Sequence, residues 1–181
     1  MTVHIALLRG INVGGNNKIK MAELKAACEQ LGFADVRTYI QSGNVLLRSD
    51  RPASEVKKLI EDKLHCDFGV KRAVVLIRSS EEMRDLLDAC PYSAEEIAAA
   101  SQLYVNLLDT PLDAEQAARI ADTEAAGERC VVRDKEVYLL LTPSILDSEF
   151  AKLFGKMKLP ITARNWNTMS KLGELAAQME A

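Results

Sequence analysis

The order of secondary-structure signals predicts an α+β protein made of two tandem ferredoxin-like (βαββαβ) subdomains, with extra connecting and C-terminal helices. Two observations predict it. A strand, helix, hairpin, helix, strand order is read in residues 3–78 and recurs, more weakly patterned, in 103–163. Several strands are also apolar on both alternating faces, as strands covered on both sides must be. The expected division is 1–78 for the first lobe, 79–101 for a helical connector and 102–181 for the second lobe with its C-terminal helix.

Residues 3–8 are continuously apolar and read as a central strand. Met21, Leu24, Cys28 and Leu31 follow at helical spacing, and Gly32 sits where a C-cap glycine belongs. Residues 36–41 and 45–48 are strands about the turn Ser42-Gly43-Asn44. A second helix is predicted from Ser49-Asp50, with Pro52 in its first turn and Val56, Leu59, Ile60 and Leu64 on its apolar face. Residues 70–77 close the first lobe as a strand.

Ser79 and Glu82 form a capping-box signal for a helix that Pro91 ends, and Ser93 with Glu96 repeats it for a short helix to Ala100. Residues 103–108 are a strand, and the alanine- and acid-rich 112–126 a helix with a poor apolar face. Residues 128–133 and 136–141 are strands about Asp134-Lys135. Leu146, Phe150, Leu153 and Phe154 mark the next helix, 160–163 a short strand, and Asn167 the N-cap of a last helix carrying Met169, Leu172, Ala176 and Met179.

Composition excludes several classes. A chain of 181 residues with 48% hydrophobic and 27% charged content matches a folded soluble protein. Its formal charge of −3 supplies no global attraction to nucleic acid or anionic membrane. No run approaches a membrane span, and the N-terminal apolar run, stopped by Arg9, lacks the basic start of a signal peptide. A cytoplasmic location is expected. Cys28, Cys66, Cys90 and Cys130 form no CxxC pair, so reduced thiols are expected, with no metal and no cofactor.

In a βαββαβ unit, strands 1 and 2 run parallel with strand 3 antiparallel between them. The loop after strand 1 and the hairpin after strand 2 therefore share one edge. The loop supplies Arg9, Asn12, Gly14, Gly15, Asn17 and Lys18, and the hairpin Gln41, Ser42, Gly43 and Asn44. Gly10 and Gly15 are spaced as in a phosphate loop, but Asn16 stands where its lysine belongs. Glycines with flanking amides can still present N–H groups to an anion beside a helix start. The competing reading is turn chemistry alone.

Arg164, Asn165, Trp166 and Asn167 are the third candidate. They lie in a stretch from Lys152 to Lys171 whose ionisable residues are all basic, and Trp166 is the only tryptophan. They could stack on a base and grip a phosphate, or pack in the core and cap the last helix. No nucleophile constellation stands out, because His4 and His65 lie far from Ser42 in the topology.

The runs Leu7-Leu8-Arg9-Gly10-Ile11-Asn12-Val13-Gly14-Gly15, Tyr39-Ile40-Gln41-Ser42-Gly43-Asn44-Val45 and Arg164-Asn165-Trp166-Asn167-Thr168 resemble the motifs of the domain of unknown function 1697 family of bacteria. Asn16 and Lys20 depart from it, standing where members often carry Lys and Pro. The resemblance implies a two-lobed α+β protein with ferredoxin-like subdomains. It implies no activity and supplies no catalytic residue.

Three functions compete on these residues. The leading one is a binding module for a phosphate-bearing ligand, either an anionic small molecule such as a nucleotide or a piece of nucleic acid. Arg9, Lys18 and Arg164 would hold the anion, Gln41, Asn44 and Asn165 would read polar edges, and Trp166 would stack. The second is an enzyme using Lys18 or Ser42, and the third an interaction protein whose motifs join the lobes. Exposed edge strands add the expectation of a homodimer.

Overall fold

The computed structural model describes all residues, Met1–Ala181. It is a mixed α+β protein with two four-stranded antiparallel sheets and seven α-helices. The chain divides into two compact units, Met1–Asp85 with Lys171–Ala181, and Leu86–Ser170. This grouping differs from the expected 1–78, 79–101 and 102–181 division in placing the C-terminal residues with the first unit. Glu180 explains the difference: its carboxylate accepts from Ser80 and pairs with Arg84 at 3.9 Å.

The first unit runs β1 (Thr2–Arg9), α1 (Met21–Gln30), β2 (Ala34–Tyr39), β3 (Asn44–Ser49), α2 (Ala53–Phe68), β4 (Val74–Ser79) and the start of α3 (Ser80–Asp88). Its sheet order is β2-β3-β1-β4, so β1 is central and its residues from Val3 to Leu8 are all buried. One sheet face, with Ala6, Leu8, Val45, Leu47 and Val75, forms a core with Leu24, Cys28, Val56, Ile60 and Leu64 from α1 and α2. Those helix residues recur at the three- and four-residue steps read in the sequence.

Element ends depart from expectation for local reasons. Gly32 ends α1 at φ +84° as expected. Ser49 belongs to β3, and α2 starts only after Pro52, because the Ser49 hydroxyl accepts from Arg51 N–H (3.1 Å) in a turn. Val70 is not strand: Gly69 turns the chain at φ +65° and the Val70 N–H returns to the Leu64 carbonyl (3.2 Å). The Ser79–Glu82 capping box forms in both directions, at 3.1 and 2.8 Å.

The second unit takes in the end of α3 and contains α4 (Ala94–Ala99), β5 (Gln102–Leu107), α5 (Ala114–Ala121), β6 (Glu128–Arg133), β7 (Glu136–Leu141), α6 (Glu149–Lys156), β8 (Thr162–Asn165) and the start of α7 (Trp166–Glu180). Its sheet order is β6-β7-β5-β8. Leu108, Ile120, Val137, Leu139, Leu141, Phe150 and Phe154 make its core. Leu146, expected on the α6 face, is instead 86% exposed in a 3₁₀ turn before that helix. Ser148 starts α6, and Glu128 holds that start, accepting from the Ser148 hydroxyl (2.7 Å) and the Glu149 N–H (2.7 Å). A carboxylate there also complements the helix dipole.

Buried polar groups are mostly tied down. The Tyr138 hydroxyl donates to the Leu86 carbonyl (2.6 Å), and that of Tyr92 to the Arg129 carbonyl (2.9 Å). The exceptions are the Thr162 hydroxyl, Arg48 Nε and His4, which is 4% exposed with neither ring nitrogen hydrogen-bonded. Burial lowers its pKa below the usual 6.5, against weaker opposing influences from the Arg51 backbone and the Glu82 carboxylate. The unfolded chain therefore binds this proton more readily, so stability is full above about pH 6.5 and falls as acid protonates the unfolded ring. Thermal unfolding between pH 7.5 and 5 should show this loss, and His4→Leu should flatten it.

The thiols divide by environment. Burial pushes Cys28 and Cys130 up to about 12 each and raises Cys90, whereas Cys66 is exposed on α2.

Candidate functional site

The first-unit loop is built by its own amides and glycines. Gly10, Asn12, Gly14, Gly15 and Asn17 all have positive φ, a conformation open to glycine and tolerated by asparagine. The Asn12 side chain donates to the carbonyls of Ile19 (3.0 Å) and Gln41 (2.8 Å), and its Oδ1 accepts from the Ile19 N–H (2.8 Å). Asn17 donates to the Gly10 carbonyl (2.8 Å) and accepts, through its own carbonyl, from the Asn12 N–H (3.1 Å). Asn12 thus staples both ends of the loop and ties it to the hairpin.

The hairpin is fixed the same way. Asn44 is fully buried and donates to the Tyr39 carbonyl and the Ser42 hydroxyl, each at 3.0 Å. Gly43, at φ +83°, gives its carbonyl to the Leu8 N–H (2.8 Å). A Cβ there would lie 2.7 Å from Ile11 Cδ1 and 2.9 Å from Leu8 Cβ. Ile40, exposed on the same turn, has φ +48°, which is uncommon for a β-branched side chain.

The amides of Asn12 and Asn44 are therefore committed to backbone and turn, and Asn44, expected to read a ligand, does not face solvent. What the two segments leave is a cleft of about 500 Å³. Asn12, Gly15, Lys18 and Gln41 line it, joined by Ile19, Lys20 and Glu23, which the sequence reading missed. Arg9, Gly14, Asn17, Ser42, Gly43 and Asn44 belong to the same segments without lining the cleft.

The cleft's electrostatics rest on few groups. Lys18 is exposed, its stem beside Gly15, and its ammonium has no partner in the protein. The Gln41 side chain is likewise exposed and unpaired. Lys20 faces Glu23 at 3.9 Å, partly offsetting its charge. The α1 N-cap at Lys20 carries no side-chain cap, so the first N–H groups of α1 stay available beside the cleft.

The Asn44 amide donates to the Ser42 hydroxyl and, as a neutral donor, cannot take a proton from it. No group of three His, Cys, Asp or Glu is placed to hold a metal.

Arg164, Asn165, Trp166 and Asn167 belong to the second unit, at the β8–α7 junction. The cap is Asn165 rather than Asn167: its Oδ1 accepts from the Thr168 N–H at 2.9 Å, and α7 begins at Trp166. The Arg164 guanidinium donates to the Ala163 carbonyl (2.9 Å), and burial lowers its pKa to about 10, so it stays charged at neutral pH. Trp166 is half-buried and Asn167 exposed. Within the basic stretch, Lys152 pairs with Glu149 at 2.7 Å.

Comparison with known proteins gives three findings. The family model of a protein of unknown function, DUF1697, matches residues 1–138. No curated protein matches the chain. The structure of the conserved bacterial protein SP0830 from Streptococcus pneumoniae is similar, with 26% identity, a TM-score of 0.78 and coverage of 97% of this chain and 98% of that one.

Proposed function

The chain belongs to the DUF1697 family of proteins of unknown function, and on that footing we propose that it is a binding module for a small phosphate-bearing ligand such as a nucleotide, held in the first-unit cleft. The observation that carries this reading is the unpartnered Lys18 ammonium in a cleft of ligand size, about 500 Å³. Lys18 supplies the charge, the uncapped start of α1 supplies N–H donors, and Gln41 reads a polar edge. Ile19 and the stems of Lys18 and Lys20 give the apolar wall that a base or sugar needs.

A pocket rather than a basic face, on a chain of net charge −3, favours a small ligand over a nucleic acid polymer. The strand orders β2-β3-β1-β4 and β6-β7-β5-β8, all antiparallel, support reading each unit as ferredoxin-like. In that topology loop and hairpin share an edge, and the Asn12 bond to the Gln41 carbonyl supports that reading.

Calorimetric titration with mono-, di- and trinucleotides and inorganic phosphate tests the proposal. Lys18→Ala should weaken binding by about tenfold to a hundredfold, the value of one charge-assisted contact, and reduce its salt dependence. Gln41→Ala should lose a few-fold. Absence of binding across the panel, or binding indifferent to Lys18, overturns it.

A further inference from the structure

The two units differ at one matched place in their sheets. In the first, Ala6 on β1 pairs with Ile77 on β4, and both are buried. In the second, the corresponding pair across β5 and β8 is Asn106 and Ala163. The correspondence is fixed by register, since Ala6 faces Val45 and Asn106 faces Val137 on the other side. The helix before the closing strand also shortens, from the 16 residues of α2 to the 8 of α6. At 1.5 Å per residue, α6 covers about 12 Å where α2 covers about 24 Å.

What results is a second cavity of about 340 Å³, whose lining includes Tyr104, Asn106, Phe154, Gly155, Lys158 and Ile161. Asn106 is 5% exposed, and its amide orientation is set by donation to the Val137 carbonyl at 3.1 Å. That leaves Oδ1 without a partner in the protein, on a side chain that lines the cavity. Tyr104 and Lys158 likewise have no polar partner for their side chains.

The last turn of α6 is the second, independent observation. Lys158 N–H returns to Gly155 O (3.1 Å) and Leu159 N–H to Phe154 O (3.2 Å), the paired bonds of a Schellman end. That end asks for glycine at its left-handed residue, yet Lys158 occupies it at φ +51°. Gly155 instead sits inside the helix, where glycine is unfavourable, and a Cβ there would meet nothing within 4 Å. Both residues go against local preference, and both line the cavity. Departures of this kind gather at sites selected for something other than stability.

We propose that the second unit holds its own small-molecule site, between the β5–β8 sheet face and α6, for an aromatic carboxylate bearing a hydrogen-bond donor. The ring lies against Phe154 and Ile161 in the space left open by Gly155 and Ala163. The donor reaches Asn106 Oδ1, Tyr104 contributes its hydroxyl, and Lys158 meets the carboxylate. Phosphate is not required, so this site is independent of the first-unit cleft.

Titration of the full chain with indole-3-acetate and 4-hydroxyphenylacetate, followed by protein NMR shifts, tests it. At least one should bind at sub-millimolar to millimolar concentration and shift the amides of Asn106, Gly155 and Lys158. Lys158→Gly and Gly155→Leu should each weaken that binding by about tenfold or more while holding or raising the melting temperature. A structural role for these residues would move stability without binding, and the opposite split is the signature of a site. Neither probe binding, shifts elsewhere on the chain, or affinity retained in both variants overturns the proposal.

Discussion

Gly43→Ala is expected to lower stability by about 2–5 kcal/mol, measured by urea denaturation. Left-handed backbone at an L-residue costs about 1–2 kcal/mol, and φ at this position is +83°. Overpacking adds about 1–3 kcal/mol, because the new methyl would meet Ile11 Cδ1 at 2.7 Å and Leu8 Cβ at 2.9 Å. Leu8 is in the central strand and cannot retreat, so Ile11 and the hairpin must move. Gly10→Ala is the internal control. Its φ is +80° but a Cβ there meets nothing within 4 Å, so only the backbone part, about 1–2 kcal/mol, should be lost.

Asn12→Ala is expected to lower stability by about 2–4 kcal/mol and to abolish the first-unit cleft as a binding site. The change removes two donors and one acceptor at once, stranding the Ile19 N–H and carbonyl beside a buried side chain. Leaving such groups unpaired costs about 1–3 kcal/mol each, reduced where water can enter. Asn12→Asp should do no better, since a carboxylate would face the Ile19 and Gln41 carbonyls with no proton to give. Amide hydrogen exchange is the direct readout: the Ile19 N–H, protected through Asn12 Oδ1, should exchange faster in Asn12→Ala, whereas Asn12→Asp keeps an acceptor for it and loses only the two donated bonds.

These two residues also mark where sequence reading stops. The apolar periodicities of α1 and α2, the Ser79–Glu82 box and the Gly32 cap were legible because each depends on neighbours within a turn. The shared edge of loop and hairpin was legible from topology alone, and the cleft lined by Gly15, Lys18 and Gln41 lies there. The division of labour among the asparagines was not. Asn12 and Asn44 became structural while Gln41 stayed free, and that depends on backbone conformations no spacing rule records.

Boundaries failed where a side chain competed for the backbone. Ser49 turns the chain before α2, and Asn165 takes the cap expected of Asn167. The second cavity left no positive signal, because it arises from what is missing: a bulky partner opposite Asn106, a longer α6 and a side chain at Gly155. Asn106 reads in sequence as one polar residue in a strand, and only the register against Val137 and Ala163 shows that it floors a cavity.

The unequal surroundings of the four thiols turn the native chain into its own reporter. Burial raises the Cys28, Cys90 and Cys130 thiols, and Cys66, on α2, is the one exposed thiol. A fluorophore or spin label can therefore be placed on a helix of the first unit with no cysteine engineered in or out. The three remaining thiols become countable as the fold opens, which makes alkylation a clock for unfolding.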